Sequence, residues 1–148
     1  KSALVLCQKY DSPVARLVEK GIERIGRPLP DIQAAVENMG NVEVARLEKS
    51  LPMLATIAGG APMIGFLGTV SGMIQAFFRM STAGNNIDIT LLSGGIYEAM
   101  VTTVGGLFVG IIAYFGYNFL TSQISNLVFK MESTTIEFID MLHEPAGR

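Results

Sequence analysis

Two long stretches without a charged side chain constrain this chain more than anything else in it. The first runs 29 residues from Ser50 to Phe78, and the second runs 31 residues from Ala99 to Phe129. As helices rising about 1.5 Å per residue they reach roughly 43 to 46 Å, against a hydrocarbon core of about 30 Å. Both are long enough to cross a bilayer. Pro52, Pro62 and five glycines lie in the first stretch and would damage a soluble helix, but membrane helices tolerate them because neighbouring helices re-satisfy the freed backbone groups. A hydrophobic hairpin buried in a large soluble protein is the competing reading. Composition weighs against it: 49% of the residues are apolar and 16% charged, mean hydropathy is +0.41, and soluble domains carry about 25% charge. With 148 residues the chain has room for one ordinary domain.

The basic residues give the orientation. Eight of the eleven, from Lys1 to Lys49, precede the first stretch, two follow the second (Lys130 and Arg148), and Arg79 alone lies between. The positive-inside rule then places both termini in the cytoplasm and the connector outside. The expected organisation is a cytoplasmic helical region over 1–50, membrane helices over 51–78 and 91–129, a short periplasmic connector over 79–90, and a cytoplasmic C-terminal helix and tail over 130–148. No signal peptide pattern opens the chain.

Within the first 50 residues, Ser12-Pro13 reads as a helix start, with a cap residue followed by proline at the first helical position. Val14, Leu17, Val18, Ile22 and Ile25 mark its apolar face, and Arg16, Glu19, Lys20, Glu23 and Arg24 its opposite, solvated one. Gly26-Arg27-Pro28-Leu29-Pro30 breaks the pattern. Asp31 is expected to cap a second helix with Ile32, Ala35, Val36 and Met39 on its apolar side. These short amphipathic helices must pack on each other, on a neighbouring subunit or on continuations of the membrane helices. Beyond Lys130, helical spacing persists through Met131, Thr135, Phe138, Met141 and Leu142 until Pro145.

Small residues line one face of the first membrane stretch: Ala61, Gly65, Gly68, Thr69, Gly72 and Ala76 recur three and four apart. Gly68-Thr-Val-Ser-Gly72 and Gly106-Leu-Phe-Val-Gly110 have the small-xxx-small form that lets helices approach closely. Gly65, Gly68, Gly72, Gly106 and Gly110 are therefore the expected packing positions, and leucine at Gly68 or Gly72 is expected to dissociate a homo-oligomer. Polar groups at membrane depth are the sharper signal. Glu98 sits ten residues after Asp88, in the hydrophobic segment that leads into the second uncharged stretch, where an ionisable group costs up to about 3 kcal/mol unless water or a partner receives it. Thr102 lies one turn further on the same face, Thr103 follows, and Thr69 lies deep in the first stretch. Each threonine can simply bond its own i−4 carbonyl. Together with Glu98 they can also line a narrow polar path holding a few ordered waters.

Other chemistries drop out. A net charge of −2 leaves no basic excess for nucleic acid. One histidine, His143 near the C-terminus, and one cysteine, Cys7 in an N-terminal stretch expected to fluctuate, supply no metal set and no internal disulfide. No phosphate-binding glycine loop is present. Ser93-Gly94 has no histidine at membrane depth to act as base, so enzymatic chemistry is not expected and no cofactor is called for.

Leu54-Ala-Thr-Ile57, Ala61-Pro-Met-Ile-Gly-Phe-Leu-Gly-Thr-Val-Ser-Gly-Met-Ile74 and Gly95-Ile-Tyr-Glu-Ala-Met-Val-Thr-Thr-Val-Gly-Gly-Leu107 resemble the MotA/TolQ/ExbB proton-channel family over residues 50 to 130. The block ending Gly68-Thr69-Val70-x-Gly72 points to its ExbB/TolQ branch, with an ExbB-like member favoured. The resemblance implies an all-α membrane protein of the bacterial inner membrane: a transmembrane helix hairpin extended into the cytoplasm, forming a pentamer around the single-span helices of an ExbD- or TolR-like partner. It implies proton flow coupled, through a TonB- or TolA-like protein, to work at the outer membrane. It assigns the pore threonines to Thr69 and Thr103 and the acidic residue near the outer end of the last helix to Glu98. The proton carrier would be an aspartate on the partner. Family members carry a further transmembrane helix before the cytoplasmic region, so a fragment lacking that helix is expected. Position 71, often tryptophan in the family, is Ser71, and no role transfers to it. The competing readings are a TolQ-like subunit for envelope maintenance, a non-conducting membrane scaffold, and an adaptor for a soluble partner acting through residues 1 to 50.

Overall fold

The structure, a computed structural model, describes residues 2–83 and 89–143. The middle of the expected connector, with Asp88, and the tail from Glu144, with Pro145, lie outside the described residues. Five helices follow one another: α1 (Ser2–Lys9), α2 (Pro13–Ile22), α3 (Leu29–Glu48), α4 (Leu51–Thr82) and α5 (Ile89–His143). No strand occurs among the described residues. Two compact units result: one of residues 1–49 and 121–148, the other of residues 50–120, with α5 contributing to both.

In the first unit, a bundle, the Ser12 hydroxyl accepts a hydrogen bond from the backbone N–H of Ala15 at 3.2 Å, which fixes the start of α2 with Pro13 at its first position. Leu17, Ile32, Val36, Met131 and Phe138 form the buried core, flanked by Val14, Val18, Ile22, Met39 and Leu142. Four sequence expectations are corrected. Helix α3 starts at Leu29 on Pro28, so Asp31 sits inside its first turn, where it faces the helix dipole rather than capping it. Ile25 lies beyond the end of α2 and is exposed, because the chain turns at Gly26, whose φ of 102° only glycine adopts without strain. Met141 is exposed rather than on the apolar face. Cys7 lies in helix α1, which packs on α2.

Arg16, placed by periodicity on the solvated face of α2, instead reaches a buried carboxylate. Glu43 of α3 is 1% exposed and accepts hydrogen bonds from Arg16 Nη2 at 2.7 Å and Arg46 Nη1 at 2.9 Å. Arg16 also pairs with Asp11. The hydrogen bond from Arg16, assisted by the positive charge of both arginines, holds the Glu43 carboxyl below its ordinary value even though burial pushes it up. The same bond raises Arg16.

The second unit is a hairpin in which α4 runs antiparallel to residues 89–120 of α5. Both helices are long and apolar enough to cross a membrane. Pro62, Gly65, Gly72 and Ala76 oppose Gly110, Gly106, Ala99 and Gly95. A Cβ at Gly106 would stand 2.6 Å from the Ala61 carbonyl oxygen, and one at Gly110 would stand 2.5 Å from Cγ of Pro62. Pro62 cannot donate to the carbonyl of Ala58, and that oxygen lies against Gly110, 3.2 Å from where a Cβ would stand. Among the described residues of this unit only small ones, Gly65, Ala76, Ala99, Gly110 and Ala113, are buried. Its large side chains point outward, with Phe66 66%, Phe108 67% and Phe115 70% exposed.

Candidate site in the helical hairpin

Because the glycines bring the two backbones together, a hydroxyl on one helix reaches a carbonyl on the other. Thr103 Oγ1 donates across the hairpin to the Gly65 carbonyl at 3.1 Å. Thr69 Oγ1 lies 3.3 Å from the Ala99 carbonyl across the interface and 3.4 Å from the Gly65 carbonyl on its own helix. The two hydroxyls are in direct hydrogen-bond contact with each other. Each is half-buried. Two hydroxyl protons here face more acceptors than they can serve: the Gly65 and Ala99 carbonyls and each other's oxygens. With Thr103 donating to Gly65, Thr69 can donate to Thr103 or to Ala99; with Thr103 donating to Thr69, Thr69 donates to Ala99. The pair thus has several proton arrangements at the same heavy-atom geometry, and it keeps a lone pair free in each.

The other two candidates lie elsewhere on the hairpin. Thr102 donates to the Ala99 carbonyl of its own helix at 2.7 Å and stands against Gly68, where any Cβ would collide with its side chain. Thr102 and Glu98 line a groove of about 160 Å³ whose opposite wall carries Ser71, Gln75 and Arg79. Thr69 and Thr103 do not line it. The structure therefore separates the four residues into an interhelical hydroxyl pair and a polar groove.

The packing glycines are engaged inside the chain. Gly65, Gly68 and Gly72 meet α5, while Gly106 and Gly110 meet α4. Leucine at Gly68 or Gly72 acts first on the hairpin itself, which revises the expectation that it separates one chain from another.

Sequence reading missed Ser71, Gln75 and Arg79 as members of a site. Their spacing of four residues was visible, a polar line on an otherwise apolar helix. It also missed Glu43, although Ile32, Val36, Met39 and Glu43 share helical spacing and so one face of α3.

The second unit is thus an apolar hairpin of membrane-spanning length, with hydroxyls inside its interface and a carboxylate in its groove. Residues 9–133 match the MotA/TolQ/ExbB proton channel family, and the chain belongs to it. It is 36% identical over 106 residues to a Tol-Pal system protein TolQ of Haemophilus influenzae, covering 72% of this chain and 46% of that protein. It is 30% identical over 144 residues to TolQ of Pseudomonas aeruginosa (90% and 62%). It is 34% identical over 91 residues to a biopolymer transport protein ExbB of Xanthomonas campestris (62% and 36%). The chain spans about half the length of the curated relatives it matches. Its family is one of membrane channel and transport proteins, in the ExbB/TolQ branch.

Proposed function

We propose that this chain forms the membrane-embedded hairpin of a proton-conducting subunit in a bacterial inner membrane, one that works as a homo-oligomer, a pentamer, around an ExbD- or TolR-like partner. Proton flow through it drives a TonB- or TolA-like protein, with TonB-dependent transport the favoured setting. Residues 1–50 and 130–148 are cytoplasmic, 51–78 and 91–129 cross the membrane, and 79–90 form the periplasmic connector.

The observation that carries this reading is the hydroxyl pair of Thr69 and Thr103. Two hydroxyls with interchangeable donors can bond a carboxyl group in either protonation state, which suits a partner carboxylate that must load and release protons while it moves. Glu98 lies towards the outer mouth of the path, in the groove it shares with Thr102, which stands one turn deeper beside the hydroxyl pair. The relatives named TolQ, one of them at 36% identity, favour a second reading in which the same motor serves envelope maintenance.

The test is removal of the hydroxyls at constant shape. In the full-length protein with its partner, Thr69→Val or Thr103→Val should abolish proton-driven transport while assembly survives, because interhelical hydrogen bonds in membranes contribute only about 0.6 kcal/mol each. Glu98→Gln should impair transport less completely. Normal transport by both valine variants would leave the pair a packing device and the chain a scaffold.

A further inference from the structure

The bundle buries its large apolar side chains, and α1 is where it departs from that habit. Leu4 and Cys7, one turn apart, are half-buried, as fits a helix that packs on α2. Val5, Leu6 and Tyr10 are each at least 60% exposed. The Tyr10 N–H donates to the Leu6 carbonyl at 3.3 Å, so the helical turn carries on past Lys9. Val5, Leu6, Lys9 and Tyr10 therefore fall within about 140° of one helix face, with Lys9 the one charged residue of α1. Contiguous apolar exposure of this kind marks a surface that meets another one.

The same bundle carries a groove of about 490 Å³ between α3 and α5, with Leu17 of α2 contributing to it. Its apolar lining includes Leu17, Val36, Val44 and Met131, and its charged lining is Glu37 and Glu132, both exposed. No described residue of α1 lines it. Neither glutamate, nor Lys9, takes part in the ion pairs found among the described residues. Face and groove match in length. Helix α1 has 8 residues, about 12 Å, and the groove runs from Val36 to Val44 on α3 and from Val128 to Ile136 on α5, again about 12 Å. They match in chemistry, since an apolar floor with an acidic rim complements an apolar face that carries a lysine. They also match in level: Gln8 Nε2 donates to Glu19 Oε1 at 3.1 Å, two residues along α2 from Leu17 in the groove. A ring generated by rotation about an axis along the bundle needs two different, complementary surfaces on each copy at one level.

We propose that α1 of one copy lies in the groove between α3 and α5 of the next copy, with Val5, Leu6 and Tyr10 toward the apolar floor and Lys9 at the rim of Glu37 and Glu132. The contact is head-to-tail and repeats around the oligomer. It rests on the homo-oligomer reading and names a contact that this reading leaves open.

The full-length protein in its own membrane tests it. In a background with every native cysteine, Cys7 included, changed to serine, Leu6→Cys and Ile136→Cys are placed on separate copies that carry different tags and are produced together. Mild oxidation with copper phenanthroline should join differently tagged copies, while same-tag products stay at background. Lys9→Glu on the Leu6→Cys copies should cut the mixed product about fivefold or more, and Glu37→Lys with Glu132→Lys on the other copies should restore most of it. All these positions are exposed, so the bundle core is untouched. The native mass of the unoxidised protein separates the two claims: a monomer overturns the homo-oligomer reading and this contact with it. An intact oligomer whose mixed product does not exceed the same-tag products overturns the contact alone, and gives the α1 face to the partner, to lipid or to another segment of its own chain. A mixed product that Lys9→Glu leaves unchanged also overturns it, because a groove matched by its acidic rim must distinguish the sign of the charge.

Discussion

The bundle and the hairpin solve the same packing problem in opposite ways. In the bundle the large apolar side chains of Leu17, Ile32, Val36, Met131 and Phe138 turn inward, and charge stays at the surface except where Arg16 and Arg46 neutralise Glu43. In the hairpin the large side chains turn outward and the contact surface is made of glycine, alanine and threonine. Apolar surface drives packing only where water is the alternative. A hairpin whose neighbours are lipid gains nothing by hiding phenylalanine, so it gains cohesion from close backbone approach and from hydroxyls placed on carbonyls. The difference teaches that a small residue carries the architecture of the hairpin, while a buried carboxylate and its two cations fix the bundle.

The largest expected effect breaks the hairpin side of that contrast. Gly106→Leu puts a branched side chain where even a Cβ would lie 2.6 Å from the Ala61 carbonyl and 2.8 Å from the Gly65 Cα. Backbone atoms cannot rotate away as a side chain can. Disulfide trapping between cysteines placed at Ala76 and Gly95, which face each other, should fall from efficient to background in this variant. Efficient trapping in Gly106→Leu would mean that the glycine interface does not set the helix separation.

Much of this contrast is legible in the sequence, and the reason differs by region. The hairpin is announced by two uncharged stretches, because lipid tolerates few charges and the pattern needs no tertiary knowledge. The small face at Gly65, Gly68 and Gly72 is equally plain, yet spacing alone does not say which helix it meets; only the register with Gly106 and Ala99 does. Thr69, Thr102 and Thr103 stand out as hydroxyls at membrane depth and a family resemblance selects Thr69 and Thr103 among them, whereas the groove of Ser71, Gln75 and Arg79 depends on rotation of one helix against the other. In the bundle, Arg16 was misread because periodicity assigns a long cationic side chain to its Cβ direction. Its guanidinium lies several bonds further out, where Glu43 of another helix decides its surroundings. Helix ends fail locally too: two prolines and Leu29 start α3 before Asp31 can cap it.

The bundle side is broken next, at a smaller scale. Arg16→Met leaves Glu43, 1% exposed, with Arg46 alone, whose side chain is 64% exposed. Removing one partner of a buried pair costs about 3 to 5 kcal/mol, and the remaining arginine puts the expectation near 3. Arg46→Met leaves the shorter 2.7 Å bond to Arg16 intact and should cost about 1 kcal/mol or less. Hydrogen exchange of the α3 amides reads both as local stabilities. Equal losses would show that Arg16 is not the principal partner.

The smallest effect sharpens the comparison through pH. Glu43 is depressed in the folded bundle by the hydrogen bond from Arg16 and the charge of both arginines, so the folded state binds its proton less readily than the unfolded chain does. The stability it contributes is therefore fully present above its ordinary value of 4.5 and is lost as pH falls through the depressed folded value. Lowering pH from 7 to 5 should leave α3 exchange nearly unchanged on this account, and the loss should begin only below about 4.5. Other carboxylates add their own slopes, so the informative quantity is the difference between wild type and Glu43→Gln, which cannot titrate at that position. A wild-type slope below pH 4.5 no steeper than that of Glu43→Gln would mean that the arginines hold the side chain by shape and hydrogen bonding alone, without a preference for its ionised form.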